Sequence, residues 1–202
     1  VIAGAEEARL SFAGAASVLP AGGGAVLVAD IGGGSTELVL GDGRGVIASH
    51  SMDVGCVRMT ERHLHDDPPT RGQIEATVAD LRAAITAAGA QVPLDTGARF
   101  VGVAGTVTTV AAIALGLPRY DPDAIHGSVI AAEQVAQITE RLLRMTRAQR
   151  AALPVMHPGR VDVIGGGALV LRTLMEHIGA DRVTASEHDI LDGIALDLAS
   201  GA

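Results

Sequence analysis

Eight consecutive positions, DIGGGSTE at 30 to 37, hold the residue types that phosphate chemistry needs. Gly32, Gly33 and Gly34 let the backbone approach an anion closely, and their amides can form a concave nest of donors. The hydroxyls of Ser35 and Thr36 add further donors. Asp30 closes an apolar run and can hold a divalent metal directly or through water, because carboxylate oxygens suit Mg²⁺. Glu37 lies within reach of the same loop and can orient or deprotonate a water. The glycines alone read equally well as a hairpin beside a surface acid. An aspartate before them and Ser-Thr-Glu after them favour a phosphate site.

A second candidate anion site is Gly105, Thr106, Thr108 and Thr109, because a glycine turn ahead of an apolar helix points free amides at a ligand. A tight turn whose threonines merely cap the helix fits equally well, and both readings stay open. Glu7, in AEEAR at 5 to 9, reads by itself as an exposed first-turn acid favoured by the helix dipole. Arg58 and Arg160 are either phosphate clamps or salt-bridged structural residues, whereas Arg9 is placed to orient a neighbouring carboxylate. His63, His65, Asp66 and Asp67 have the composition of a metal cluster. Residues two apart do not share a helix face, however, and Pro68-Pro69 follows, so a solvated helix end is expected. His126 is expected to make a structural hydrogen bond, and Cys56 sits in an expected turn with no base beside it. Gly165 to Gly167 read either as a third phosphate loop or as glycines that admit close helix packing.

The elements that must position these residues follow from periodicity. Leu10, Phe12, Ala13, Ala16 and Val18 mark a helix over 6 to 18, ended by Pro20 and the glycines at 22 to 24. Short apolar runs at 25 to 29, 37 to 40 and 45 to 51 predict a meander of three strands. Thr70 and Gln73 form a capping-box pattern ahead of Ile74, Val78, Leu81 and Ile85, predicting a helix over 71 to 88. Residues 99 to 104 read as a buried strand that turns at Gly105-Thr106 into a helix over 107 to 115. Further helices are expected around 135 to 143 and, interrupted by glycines, over 160 to 178. A last strand at 182 to 185 precedes a terminal helix to about 199, capped by Ser186 and Asp189. The sum is an α/β unit with a mixed five-stranded sheet.

The chain has 202 residues, a net charge of −8, 1% aromatic residues and one cysteine, so the core is aliphatic and neither an internal disulfide nor a cysteine-built zinc site is possible. Every fixed cation is an arginine, since the chain holds no lysine. An acidic chain without interleaved aromatic and basic residues is a poor nucleic-acid binder. No apolar run reaches the roughly 18 to 20 residues of a membrane span, so no membrane partner is expected and a cytoplasmic location is. The chain opens at Val1 without Met, and a preceding segment is expected.

The DIGGGSTE segment resembles the second phosphate motif of the exopolyphosphatase and guanosine pentaphosphate phosphohydrolase (Ppx/GppA) family, a branch of the actin and sugar-kinase superfamily. VIAGAEEARLSFAG at 1 to 14, SMDVGCVRMTERH at 51 to 63, GVAGTVTTVAAI at 102 to 113, RVDVIGGGALVL at 160 to 171 and SEHDILDGIA at 186 to 195 match further family segments in order. The resemblance implies a ribonuclease H-like, actin-like ATPase (ASKHA) fold, with 1 to 20 as an interdomain helix segment and 21 to 202 as the second domain of a pair whose first member precedes residue 1. It implies Glu7 as catalytic base, although Ala5 stands where the family commonly has a third glutamate. Glu37 becomes the second catalytic acid and, with Asp30, a metal ligand for Mg²⁺ or Mn²⁺. Gly32, Gly33, Gly34, Ser35, Thr36, Gly105 and Thr106 become phosphate-binding. The implied activity is release of terminal phosphate from inorganic polyphosphate or guanosine pentaphosphate, by a homodimer when full length and with little activity from this domain alone. An alarmone-binding regulatory module without catalysis and an ATP-using kinase of the same superfamily are the alternatives.

Overall fold

The computed structural model describes residues 4–19, 24–188, 192–195 and 198, with the backbone alone for 4–8. Helix α1 (Gly4–Ala16) leads into β1 (Val26–Ile31), β2 (Thr36–Asp42) and β3 (Gly45–Met52). Then follow α2 (Cys56–His63), α3 (Arg71–Ala88), β4 (Arg99–Val103), α4 (Ala104–Ala114) and α5 (Pro122–Ile125). The chain continues through β5 (Val129–Ala131), α6 (Ala132–Arg144), α7 (Arg147–Ala151), a 3₁₀ turn at Pro158–Arg160, α8 (Ile164–Ile178) and β6 (Arg182–Ala185). The strands form a single sheet in the order β3-β2-β1-β4-β6-β5. β1 pairs antiparallel with β2 and parallel with β4, and β6 is parallel to β4 and antiparallel to β5.

Alternation along β1 sorts the two faces. Leu27, Ala29 and Ile31 join the large core beneath α3, α4, α6 and α8, while Val26 and Val28 meet Phe12 and Ala15 of α1 on the other side. The Phe12 ring lies where a side chain at position 41 would stand, so Gly41 is what lets α1 close on β2. Gly193, in the helical stretch 192–195, likewise abuts the Leu10 carbonyl of α1.

The helix over 71 to 88 is found with both arms of its capping box: Thr70 Oγ1 accepts from the Gln73 amide, and Gln73 Oε1 accepts from the Thr70 amide at 3.2 Å. Four expectations change. The sheet has six strands, because the short β5, an apolar Val-Ile-Ala run of three residues, pairs with β6 at the edge. Cys56 opens a helix rather than lying in a turn, and α2 buries only Met59. Helix α4 begins at Ala104, so Gly105 and Thr106 lie inside its first turn. The segment 160 to 178 is a 3₁₀ turn and then α8. Of the expected terminal cap, Asp189 lies outside the described residues.

The α6–α8 end of the molecule is held by Arg150, whose side chain is only 9% exposed. Its guanidinium donates to the carbonyls of Val161 at 2.8 Å and Met145 at 2.6 Å and to Asp67 at 2.9 Å. Asp67 also accepts from the Arg147 amide at 2.7 Å. Arg150→Met removes every donor while keeping most of the volume, and its stability in urea is expected to fall by about 3 kcal/mol. The Arg147 amide, and after it Arg150, hold the Asp67 carboxyl below its ordinary value. Its contribution is therefore complete above the unfolded carboxylate range and is lost as pH falls through the depressed folded value. Asp67→Asn is expected to be less stable at neutral pH, with the gap to the parent closing below about pH 4.

Candidate functional site

The glycine loop joins β1 to β2 at the carboxyl end of β1. Its carbonyls are held by one helix end: Cys56 N donates to Gly32 O at 2.9 Å, and Val57 N and Arg58 N donate to Gly33 O at 2.9 and 3.1 Å. These are the first-turn amides of α2, which have no partner inside their helix. Gly55 permits the contact, since a Cβ there would stand 2.6 Å from Gly33 O and 2.7 Å from Gly32 O. Arg58 Nε takes Gly34 O at 2.6 Å, and Gly32 N closes the loop onto Ser35 O at 3.0 Å. With the carbonyls committed to α2, the amides of Gly33, Gly34 and Ser35 have no protein acceptor among the described residues.

Thr36 does not join that set. It is wholly buried, and its hydroxyl donates to Val54 O at 2.6 Å, so the side chain anchors the loop instead of facing a ligand. Arg58, bonded to Gly34 O and 3.6 Å from Asp53, takes the structural reading.

Asp30 and Glu37 are register partners on β1 and β2, and Glu37 is in turn opposite Ser51 on β3. Alternation places Asp30 on the face that α1 covers, with Val26 and Val28. Directly opposed carboxylates repel each other. Here Ser51 Oγ donates to Glu37 Oε1 at 2.9 Å and fixes its rotamer. Glu7 is carried on α1, the helix packed over this same face, and its side chain lies outside the described residues. Among the described residues no group of three His, Cys, Asp or Glu is gathered as a metal site. The histidine cluster is resolved as structure: His63 bonds Asp80 at 2.8 Å, Asp66 bonds Gln73 and Asp67 bonds Arg150.

The second candidate stands beside the first. Val103 caps α4 with no side-chain bond, and Ala104 takes a left-handed φ of 69°, a conformation rare for a residue with a Cβ. The Arg160 guanidinium lies over Gly105 in the space a side chain there would need. Arg160 is steadied by a 3.0 Å bond from Nη1 to Thr109 Oγ1 and by the Tyr120 ring, 5.8 Å from its Cζ. The Tyr120 hydroxyl lies 2.6 Å from both Glu187 Oε1 and Thr108 Oγ1, donating to the carboxylate and accepting from the threonine. Burial, and after it Glu187, raises the Tyr120 phenol above its ordinary value. Thr108 and Thr109 therefore serve this network.

Gly32, Gly33, Cys56, Gly105, Thr106 and Arg160 together line a pocket of about 180 Å³. The glycine loop and the α4 amino terminus, read separately from the sequence, share one cavity. Thr106 itself is buried at 4% exposure with its hydroxyl against Cys56, so its contribution to a ligand is the backbone amide. Burial pushes the Cys56 thiol up, which fits no nucleophile. Gly166 and Gly167 sit inside α8, where a Cβ would meet Cys56 O and Thr60 or Thr106, so the packing reading of those glycines holds. His126 accepts from the Glu187 amide at 3.3 Å and stacks on His188 at 4.1 Å, as a structural histidine does. Sequence reasoning left Arg160 undecided; the absence of a side chain at Gly105 was its trace.

Exopolyphosphatase 2 of Mycobacterium tuberculosis is 52% identical over 203 residues, covering 98% of this chain and 63% of that protein. A guanosine-5'-triphosphate,3'-diphosphate pyrophosphatase of Vibrio atlanticus is 31% identical, over 98% of this chain and 38% of its own length. The crystal structure of an exopolyphosphatase-like protein superposes with a TM-score of 0.91 at 44% identity, covering 98% of this chain and 67% of that one. A Ppx/GppA phosphatase of Aquifex aeolicus, type II variant, gives 0.88 at 28% identity, covering 98% and 64%. The chain thus spans less than two thirds of the length of the curated relatives it matches. The model of the Ppx/GppA phosphatase family matches residues 1–201, and with that span and these neighbours the chain belongs to the Ppx/GppA phosphatase family.

Proposed function

We propose that the chain is the part of a phosphohydrolase that releases terminal phosphate from inorganic polyphosphate or guanosine pentaphosphate. The observation that carries this reading is the pocket lined by Gly32 and Gly33 of the loop, by the first turn of α4 and by Arg160, at the end of the strand that carries Asp30. Phosphoryl hydrolysis asks mainly for alignment and charge neutralisation, which such a donor set supplies. The amides of Gly33, Gly34, Ser35, Gly105 and Thr106 receive phosphoryl oxygens, and Arg160 compensates their charge. Asp30 and Glu37 form an all-oxygen pair suited to Mg²⁺ or Mn²⁺, since Mg²⁺ is commonly held by one or two carboxylates and otherwise by water and phosphate. When bound, the cation supplies neutralisation of phosphoryl oxygens and a lowered pKa for its water. Glu7 takes the proton of the attacking water as the new P–O bond forms and the bridging P–O bond breaks, leaving a shortened phosphate anion.

The family resemblance also carries a preceding domain that closes the cleft from the other side, and a homodimer of the full-length enzyme, both as parts of the same proposal. Among the described residues no helix is long and apolar enough to cross a membrane.

In the full-length protein, Glu7→Gln is expected to lower phosphate release from polyphosphate more than about a hundredfold, since general-base work is worth roughly 10² to 10⁴. Near-parental turnover would overturn the assignment, and tight binding of both substrates without any phosphate release from the parent would replace the hydrolase by a sensor. Gly105→Ala forces the flexible Arg160 head aside while leaving the backbone in place. Its KM for polyphosphate is expected to rise about tenfold, the loss typical of one charge-assisted contact, with an unchanged melting temperature within a few degrees.

A further inference from the structure

The sheet is incomplete at one place. β4 begins at Arg99 and β6 at Arg182, yet the two parallel strands pair only at Val101↔Thr184 and Gly102↔Ala185. Below those pairs they flank a cavity of about 370 Å³, at the amino-terminal ends of β1, β4 and β6. This is the pole opposite the glycine loop, which follows the carboxyl end of β1. The volume falls within the range of small-molecule sites.

Its lining divides into two parts. Leu27, Leu94, Phe100 and Ile178 supply an apolar wall. Arg99 and Arg182 supply cations, but Arg182 is neutralised by Asp181 through bonds of 3.1 and 2.9 Å. Arg99 is different: its Nε is buried and donates to nothing among the described residues, and no ion pair of its guanidinium occurs there. The Nε has almost no accessible surface and is closed to a ligand as well, so a cavity ligand would meet the outer nitrogens of the guanidinium. The carboxyl end of α8 also reaches the cavity, where its negative end would favour a cation. The Gly179 and Ala180 amides already return to Met175 O, at 3.0 Å for Ala180, which blunts that term.

We propose that this cavity binds a small monocarboxylate with an apolar body, its carboxylate paired with the Arg99 guanidinium. The outer nitrogens of a planar guanidinium match a carboxylate, whereas a polyanion would meet an apolar wall and, among the described residues, one arginine without an ion pair. The ligand class thus differs from the phosphates of the opposite pole.

The test is amide NMR on the full chain, titrated with benzoate, with its neutral isostere benzamide and with inorganic phosphate, each to about 10 mM, because a fragment of this size binds in the millimolar range. Benzoate is expected to shift the amides of Gly97, Ala98, Gly179 and Ala180, with benzamide and phosphate at least about tenfold weaker. Arg99→Met is expected to weaken benzoate at least about tenfold, and Arg182→Met to leave it within about twofold. No shift with benzoate, equal shifts with benzamide, stronger shifts with phosphate, or an unaffected Arg99→Met would each overturn the proposal. The comparison of benzoate with benzamide needs no variant, so it decides the matter even where Arg99→Met fails to fold.

Discussion

Everything at the cleft edge depends on the amino terminus of α2 closing on the carbonyls of Gly32 and Gly33. A helix end and a glycine loop each carry backbone groups that cannot be left unpaired when shielded from water. Joining them satisfies donors and acceptors at once and turns the loop so that its remaining amides face away from α2. Three otherwise unrelated positions exist to allow it. Gly55 gives the loop room, Thr36 ties the following strand to Val54, and Arg58 takes the last carbonyl. Which backbone groups of the loop stay available is thus set as much by what its carbonyls are bonded to as by the glycines.

The sheet separates two kinds of chemistry. Its α1 face carries the register pair Asp30 and Glu37, with Glu37 held by Ser51. The pocket at the edge carries neutral amides and one arginine, and so prefers anions. A phosphoryl group bridging the two would meet donors on one side and the acid pair on the other. The aliphatic core beneath, with almost no aromatic residues, packs α3, α4, α6 and α8 against the sheet.

Legibility followed local signal. The helix at 71 to 88 was readable to the residue because its cap and apolar repeat are both written in adjacent positions. The meander was readable because each strand carries its own apolar run. β5 shows only as a three-residue apolar run after Gly127, and what makes it a sixth strand of the sheet is its distant partner β6. The start of α4 was misread for a related reason. Gly-Thr signals a turn, but here the turn is made by Ala104, which takes a left-handed φ although it carries a Cβ. The loop residues were identified by type, whereas the exclusion of the Thr36 hydroxyl and the station of Arg160 are contacts between residues 18 and more than 50 positions apart. Such pairings are absent from any window of sequence.

The paired glycines of α8 have a mechanical meaning beyond packing. Gly166 lies against the Cys56 carbonyl and Thr60 of α2, and Gly167 against Thr106 of α4. One turn of one helix therefore bears on both helix ends that shape the anion pocket. The position of α8 is therefore tied by close contact to α2 and α4 together. The two sides of the pocket are thus backed by one and the same turn of α8.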